Sequence, residues 1–386
     1  MSVSSPGTFD LPPKAAGLVL GDPVPWFSLP TLVGGRVDLH VNGGRWIVLM
    51  FLGDCADPTA RKALSEALAD GAGYREDSRI FYGIFSGQPD LPSQDREFLS
   101  RIVNPALNFL IDAGDEVARA YGISEGRIVV LDPLLRAVAN IRLDDPNDAS
   151  ALLRQVLAGL PDPACHGGTE TPPPVLILPR IFEFELCDAL VDLYERQGGT
   201  ESGFLFDENG ETRTYINSKL KQRSDLVLYD DEIRTLLRDR IVRRVLPAVQ
   251  QFFQFQATRA DRYMISCYDG ETGGHFYRHR DNMNAGARHR RFALSINLNS
   301  DYEGGDVAFP EFGPKAYRAP VGGGVVFSTG ILHEVRAVTR GRRYAFIPFL
   351  YGEDDVRLRL EMNQRLSPGE AAYEPGRDAL FPERSA

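Results

Sequence analysis

The sequence predicts two domains, an α/β domain followed by a mostly β domain that opens with helices. With 386 residues, the chain is longer than one hydrophobic core usually organises. Strand-like and helix-like segments alternate through the first 160 residues, which is typical of an α/β sheet. Beyond residue 290, apolar side chains recur at every second position, which favours strands. We therefore place the domains at residues 1–160 and 174–353.

In the first domain, continuous apolar runs predict buried strands, and runs with helical spacing predict the helices between them. The predicted strands are residues 46–52, 80–85, 128–131 and 138–143. The predicted helices are residues 59–70 and 115–121. This order indicates a sheet whose strands are connected by helices.

A linker and two helices precede the second domain. Residues 161–174 hold five prolines and two glycines with little apolar content, so we place a linker at residues 161–173. Apolar residues at helical spacing predict a helix at 185–197, which two glycines terminate. A further helix is predicted from Asp231, until Pro247 kinks or restarts it.

The second domain is predicted to be built from strands. These are residues 292–298, 325–327 and 343–350, with a chain reversal at 303–306. The last segment, residues 354–386, is polar and interrupted by prolines and glycines, and we expect a loosely ordered tail.

Two histidines and an aspartate predict a metal site. His279 and Asp281 are two residues apart, so on an extended segment both side chains point to the same face. His333 follows 52 residues later and can supply a third ligand from another strand. Two imidazoles and one carboxylate on one face of an octahedron suit ferrous iron and leave positions open for a co-substrate and dioxygen.

Arg343 is the candidate anchor for a carboxylate. It lies ten residues after His333, at the start of the last predicted strand. A planar guanidinium can hold a carboxylate through two parallel hydrogen bonds. A dicarboxylate that chelates iron at one end would need such a partner at its other end.

The surroundings of these residues carry a family resemblance. The relevant stretches are residues 268–270, 274–282, 298–299, 302–305, 333–335 and 338–344. Together they make residues 174–352 resemble the prolyl 4-hydroxylase-like branch of the iron(II)/2-oxoglutarate-dependent dioxygenases. The resemblance implies a double-stranded β-helix, or jelly roll, buttressed by helices.

The same resemblance implies the roles of individual residues. His279, Asp281 and His333 would bind Fe(II), Arg343 would bind the distal carboxylate of 2-oxoglutarate, and Tyr268 would hydrogen-bond this co-substrate. Fe(II), 2-oxoglutarate and O2 would be needed, with ascorbate as a further candidate cofactor. The implied reaction is hydroxylation of an unidentified substrate, which is a prolyl or other protein residue or a small metabolite, with release of succinate and CO2.

The same histidines fit two other interpretations. His275 and His279 are four apart and could bind zinc on one face of a helix, as in a metalloprotease. The general-base glutamate is missing, however, and Gly273 and Gly274 oppose a helix. The other interpretation is that these are polar side chains with structural hydrogen bonds only, and the matched spacing of His333 and Arg343 argues against it.

The first domain resembles the peroxiredoxin branch of the thioredoxin fold over about residues 18–160. Residues 21–30, the apolar strand ending at Phe51 and residues 115–123 carry this resemblance. Ala60 occupies the place of the peroxidatic cysteine, and the nearby Cys55 lies between two aspartates that disfavour a thiolate. We therefore expect a degenerate domain for substrate docking, homodimer formation or support. The alternatives are a thiol peroxidase using Cys55 and a scaffold of two decayed enzymes.

Composition limits the remaining function classes. The net charge of −10 argues against general nucleic-acid binding. No run of eighteen apolar residues could span a membrane, and the N-terminus lacks the pattern of a signal peptide, so we expect a cytoplasmic protein. Four cysteines without a Cys-X-X-Cys pair indicate reduced thiols.

Arginines are concentrated around the predicted site. They are Arg278, Arg280, Arg288, Arg290, Arg291, Arg336, Arg340 and Arg342. Such charges mostly form a solvated face. Any that line the mouth of the site would attract an anionic co-substrate and favour an acidic or phosphate-bearing substrate.

Overall fold

The computed structural model describes residues 18–54, 78–86, 107–208, 211–363, 376 and 378–381. The chain divides into two compact units, Met1–Glu170 and Thr171–Ala386. The predicted helix at 59–70 lies outside the described residues. Among those that are described, no helix is long and apolar enough to cross a membrane.

The first unit is built on a mixed sheet. Its described strands are β1 Ser28–Pro30, β2 Arg36–Asp38, β3 Trp46–Asp54, β4 Arg79–Ser86, β5 Leu107–Asp112, β6 Arg127–Leu131 and β7 Ala137–Arg142. Its described helices are α1 Glu116–Ala120 and α2 Pro146–Gly159. The sheet order is β5-β4-β3-β6-β7, in which β3, β4 and β5 are parallel and β6 and β7 antiparallel to their neighbours.

The central strand β3 explains why this sheet is buried on both faces. Val48 and Met50 pack into the core that includes residues of α2, whereas Ile47 and Leu49 pack into the core on the opposite face. Successive side chains of a strand alternate between faces, so a continuous apolar run fills both cores. The order of the four strands β4-β3-β6-β7 is that of a thioredoxin-like sheet, and the predicted fold class is confirmed.

The second unit is mainly antiparallel sheet. Its strands are β8 Leu176–Leu178, β9 Thr200–Glu201, β10 Phe204–Glu208, β11 Glu211–Tyr215, β12 Lys221–Gln222, β13 Ser224–Val227, β14 Arg259–Asp261, β15 Met264–Asp269, β16 His275–His279, β17 Phe292–Asn297, β18 Glu303–Gly304, β19 Val307–Ala308, β20 Ala316–Tyr317, β21 Gly324–Ser328, β22 His333–Val335, β23 Val338–Arg340, β24 Arg342–Phe346 and β25 Phe349–Tyr351. Its helices are α3 Phe184–Gln197, α4 Asp231–Arg244, α5 Leu246–Phe253 and α6 Asp354–Asn363.

Two sheets of this unit face each other. The larger has the order β14-β25-β17-β24-β15-β13-β9, with β21 also paired to β17, and the smaller has the order β12-β16-β22-β19-β20. Side chains from both sheets, including Ala293, Val307 and Phe327, form one buried cluster between them. This double-sheet arrangement is the predicted jelly roll.

Strand β17 shows how the sequence builds both sides of the larger sheet. Phe292, Leu294 and Ile296 pack in the core that contains buried residues of α3, α4 and α5. The intervening Ala293 and Ser295 point to the other face, between the sheets. The period-two pattern therefore predicted this strand correctly. The helices predicted separately at 185–197 and from Asp231 are also present, as α3 and α4.

Two predictions for this unit are wrong. Residues 343–350 are not one strand, because the chain leaves the ladder at Ile347 and Pro348, and proline cannot donate a ladder hydrogen bond. Part of the expected loose tail is ordered, since Asp354–Asn363 is a helix and Asp378 and Leu380 are buried. Arg359 forms an ion pair with Asp378, which attaches this segment to the unit.

Candidate metal centre and co-substrate pocket

A pocket of about 220 Å³ opens between the two sheets. Its wall includes His279, Asp281 and His333, together with Tyr268 and Ser295. Pockets for drug-sized ligands enclose roughly 300–1,000 Å³. The volume here suits a small molecule or a single side chain of a larger one.

The three predicted metal ligands meet at one side of the pocket. His279 ends β16, His333 begins the paired strand β22, and the two residues are register partners. Their Nε2 atoms lie 3.4 Å and 3.2 Å from the two oxygens of Asp281. Donor atoms that share an octahedral ion at about 2.1 Å are about 3 Å apart, so these separations fit one bound ion.

Backbone carbonyls orient the two imidazoles. Nδ1 of His279 lies 2.7 Å from the carbonyl oxygen of Tyr277, and Nδ1 of His333 lies 3.0 Å from that of Ile331. A carbonyl only accepts, so each Nδ1 carries the proton and donates it. The lone pair of each Nε2 therefore faces Asp281, which is the arrangement of a metal-binding histidine.

The charge states also suit a metal. Burial and the neighbouring His333 lower the pKa of His279 to about 4, so its imidazole is neutral at physiological pH. Burial would raise the pKa of Asp281, but His333 and His279 together hold that pKa well below its usual range. A neutral imidazole and an ionised carboxylate are the forms that bind metal without first losing a proton.

A register shift in β16 helps to position His279. The ladder with β22 is irregular between Phe276 and His279, and the two rings stack with centroids 3.4 Å apart. On the other side, the ring of Phe327 meets His333 edge-on, with centroids 4.6 Å apart. These aromatic contacts hold both imidazoles in fixed orientations and keep the wall around them apolar.

Arg343 is buried deep beside the pocket. Its Nη2 donates to the hydroxyl of Ser295 at 3.0 Å and to the side-chain oxygen of Asn297 at 3.1 Å. Its buried Nη1 has no hydrogen-bond partner among the residues described. A buried guanidinium that contacts only neutral acceptors and keeps a donor unsatisfied is suited to an anion.

Gly305 makes room for this arginine. A Cβ atom at Gly305 would lie 2.9 Å from Cδ of Arg343, and the residue has φ +70, which side-chain-bearing residues rarely adopt. The glycine pair predicted to reverse the chain thus also permits the close approach of Arg343.

Tyr268 lies between two arginines. It is fully buried, pairs with Arg343 across β15 and β24, and accepts a hydrogen bond from Nη1 of Arg223 at 3.2 Å. The Arg343 guanidinium lies 5.2 Å from the centre of its ring. Direct contact of Tyr268 with a co-substrate stays a prediction.

Sequence reasoning missed several residues of the pocket. Ser295 and Asn297 contact Arg343, and Lys221, Arg223 and Arg262 line the pocket wall. The polar residues on the inward face of an otherwise apolar strand β17 were a usable signal. The three cations precede the first metal ligand by 17 residues or more along the chain, and no sequence pattern connected them to the site.

The structure also locates the predicted arginines and His275. Among the clustered arginines, Arg278, Arg280 and Arg290 line the pocket. His275 is separate from the metal cluster, since its two ring nitrogens lie near the carbonyls of Gly273 and Lys219. The zinc interpretation thus has no support from this geometry.

Three of the four cysteines, Cys165, Cys187 and Cys267, are described by the structure, and Cys55 lies outside the described residues. Burial raises the pKa of Cys187 to about 12 and that of Cys267 to about 11, so both are protonated at neutral pH. Neither is a candidate nucleophile.

Comparison with known proteins places the site in a class. Residues 263–351, which include His279, Asp281, His333 and Arg343, match the family model described as the 2OG-Fe(II) oxygenase superfamily. A PKHD-type hydroxylase of Synechococcus sp. (strain JA-2-3B'a(2-13)) is 29% identical over 127 residues, which are 30% of this chain and 56% of that protein. The chain thus spans about half the length of this relative.

Two solved structures align with parts of this chain. A prolyl hydroxylase in complex with a hypoxia inducible factor peptide fragment, from Trichoplax adhaerens, aligns with TM-score 0.38 and 18% identity over 48% of this chain and 86% of that one. The thioredoxin domain of a thiol-disulfide oxidoreductase from Bacteroides vulgatus aligns with TM-score 0.30 and 19% identity over 36% of this chain and 99% of that one.

Proposed function

We propose that this protein is an Fe(II)- and 2-oxoglutarate-dependent dioxygenase. In the overall reaction, 2-oxoglutarate and O2 would be consumed, one oxygen atom would enter a C–H bond of the substrate as a hydroxyl, and succinate and CO2 would be released. The single observation that carries this proposal is the cluster of His279, Asp281 and His333 in one pocket, with the buried Arg343 nearby and, among the described residues, bound only to neutral acceptors.

Each group of site residues would have its own role in the reaction. The two histidines and Asp281 would hold Fe(II), which would supply the activation of dioxygen that side chains cannot. Arg343, supported by Ser295 and Asn297, would hold the distal carboxylate of 2-oxoglutarate. The rings of Phe276 and Phe327 beside the imidazoles would exclude water and so strengthen these charged contacts.

The experiment that tests this function measures succinate. The full chain is incubated in air with Fe(II), 2-oxoglutarate and ascorbate, together with pools of prolyl peptides, amino acids or small metabolites. We expect iron-dependent succinate that rises with the correct pool. Asp281→Ala should abolish succinate formation. Glu271→Ala, at an exposed carboxylate shortly before strand β16, should not. Equal succinate formation by the Asp281 variant would contradict the proposal.

A further inference from the structure

The pocket wall is strongly cationic, and most of its cations are neutralised in pairs. Four of them each have a carboxylate partner: Arg223 with Asp225, Arg278 with Glu334, Arg280 with Glu311, and Arg290 with Asp261. Asp281 is the acidic residue of the lining and belongs to the metal cluster. Two basic residues of the lining, Lys221 and Arg262, remain.

Arg262 has no ion pair or hydrogen bond to its guanidinium within the part of the chain that the structure describes. The nearest acidic neighbour in sequence, Asp261, already contacts His289, Arg290 and Arg359. Burial and the neighbouring Arg290 lower the pKa of Arg262 only to about 10, so it stays charged at neutral pH. A partly buried charge without a partner is costly, and ligand-binding sites are where such costs are retained.

The backbone of Arg262 supports a functional reason for its position. It joins β14 to β15 with φ +57, in the left-handed region that residues with a Cβ seldom occupy. Such conformations persist only where the surroundings impose them, and they cluster at ligand sites. This conformation accompanies the placement of the Arg262 side chain on the pocket wall.

Lys221 is the second basic residue of the pocket wall without a carboxylate partner among the described residues. Burial lowers its pKa to about 6, so its amine is mostly neutral at neutral pH. Its Nζ donates to the Ser202 hydroxyl at 2.7 Å and to the Gly203 carbonyl at 2.6 Å. It also lies 4.9 Å from the ring centre of Phe276, the residue stacked on His279. Both residues line the same pocket, and the charge of Arg262 helps to lower the pKa of Lys221. An anion bound by Arg262 would offset that charge and so favour the protonated form of Lys221.

The metal and co-substrate would not use these two residues. Fe(II) with Asp281, a doubly charged 2-oxoglutarate and Arg343 sum to zero formal charge. An additional anion is needed to balance Arg262, and the substrate is the remaining molecule that has to enter this pocket.

We propose that Arg262, assisted by Lys221, binds an oxyanion group of the primary substrate, a carboxylate or a phosphate, and so positions it beside the metal centre. This inference rests on the proposed function and deepens it by naming the substrate class. A guanidinium grips either oxyanion through paired hydrogen bonds, whereas it gains little from a neutral amide of the same shape. The substrate is therefore a small acid or the acidic side chain of a larger molecule.

The test places a probe anion near the metal without relying on turnover. The full chain is loaded with Mn(II) and saturating 2-oxoglutarate without oxygen, and paramagnetic relaxation is measured for N-acetylglycine protons and, separately, for the phosphorus of inorganic phosphate. We expect at least one of these anions to be relaxed, and N-acetylglycinamide, the neutral control, to be unaffected. The anion that responds distinguishes a carboxylate from a phosphate substrate.

Matched variants assign the effect to residues. Arg262→Gln should weaken binding of the responding anion at least tenfold, and Lys221→Met should weaken it less. Arg288→Gln, at an exposed arginine that does not line the pocket, should leave it unchanged. Affinity for 2-oxoglutarate should be equal in all three.

The outcomes separate this inference from the function on which it rests. Binding of Mn(II) and 2-oxoglutarate without relaxation of either anion, or with an effect that Arg262→Gln does not alter, would overturn the substrate class alone. If an anion is relaxed when 2-oxoglutarate is omitted but not when 2-oxoglutarate is saturating, the probe was occupying the co-substrate site and the inference is wrong. Failure of Mn(II) and 2-oxoglutarate to bind would overturn both.

Discussion

The Arg343 guanidinium donates hydrogen bonds to two neutral acceptors, Ser295 and Asn297, and lies 5.2 Å from the centre of the buried Tyr268 ring. We predict that Arg343→Ala raises the KM for 2-oxoglutarate at least about thirtyfold, because loss of one charge-assisted partner in a desolvated pocket is worth about 2–5 kcal/mol. Arg343→Lys should recover only part of this, since an ammonium cannot form two parallel bonds. Steady-state kinetics against 2-oxoglutarate concentration measures both effects.

A control for this prediction is Ser295→Ala. It removes a neutral contact of Arg343 and should change the KM by much less than the loss of the guanidinium. Normal co-substrate affinity in both Arg343 variants would mean that another residue anchors the dicarboxylate.

Lys221 gives a pH-dependent prediction. Burial, and next the charge of Arg223, lower its pKa to about 6 from an ordinary value near 10.5. Between these values the unfolded chain binds a proton that the native protein does not, so stability rises with pH across this window. Lys221→Met should therefore raise the free energy of unfolding most at pH 6, and its advantage should shrink towards pH 10. Denaturant unfolding at pH 6, 8 and 10 checks this, and a constant difference would contradict it.

Among single residues, the sequence pointed to the candidate metal ligands and Arg343 but not to Arg262. His279, Asp281, His333 and Arg343 were identifiable because their residue types and spacing match a family pattern, and because a two-residue spacing in an extended segment directs both side chains to one face. Arg262 was not, because its importance depends on which carboxylates lie near the other cations after folding. Pairings of that kind are not encoded in local spacing.

Among the elements, α6 and the segment after it were not anticipated. Their sequence is polar, but the polar side chains are buried partners: Asp378 accepts from Arg359 and from the hydroxyl of Tyr351. Asp261 is also within reach of Arg359, at 3.6 Å. Ion pairs give no hydrophobic periodicity, so the sequence pattern favoured a loose tail. Strand β5 was also missed, because its sequence neither alternates in polarity nor forms a continuous apolar run.

We predict that Arg359→Ala lowers the free energy of unfolding by about 3 kcal/mol, because it leaves two buried carboxylates undercompensated. Arg357→Ala is the matched control, since Arg357 lies on the same helix with its side chain 85% exposed and should change stability by less than about 0.5 kcal/mol. Chemical denaturation of both variants measures the difference. Equal stability of the two would show that the α6 ion pairs contribute little.

For the whole molecule, the proposed site residues are not shared between the two units. Every proposed ligand of the metal and of the co-substrate lies in the second unit, Thr171–Ala386. Removal of residues 1–170 should therefore preserve binding of Fe(II) and 2-oxoglutarate, and weaken action on the native substrate if the first unit docks it. Loss of 2-oxoglutarate binding in a folded truncated protein would show that the first unit contributes to the site.

The first unit is expected to lack thiol chemistry, although Cys55 itself lies outside the described residues. Cys55→Ser should leave hydroperoxide consumption by the full chain unchanged, as measured by peroxide loss with a thiol reductant. Rapid consumption that disappears in this variant would make the protein a bifunctional redox enzyme.

The claim that one pocket binds metal and 2-oxoglutarate together is tested most directly by calorimetric titration without oxygen. 2-Oxoglutarate is added to the full chain with and without Fe(II), and to Asp281→Ala and Arg343→Ala with Fe(II). We predict one equivalent bound to the iron-loaded protein, with affinity reduced at least tenfold by omission of iron and by each substitution. Binding that is equally tight without iron and in the Asp281 variant would contradict the account.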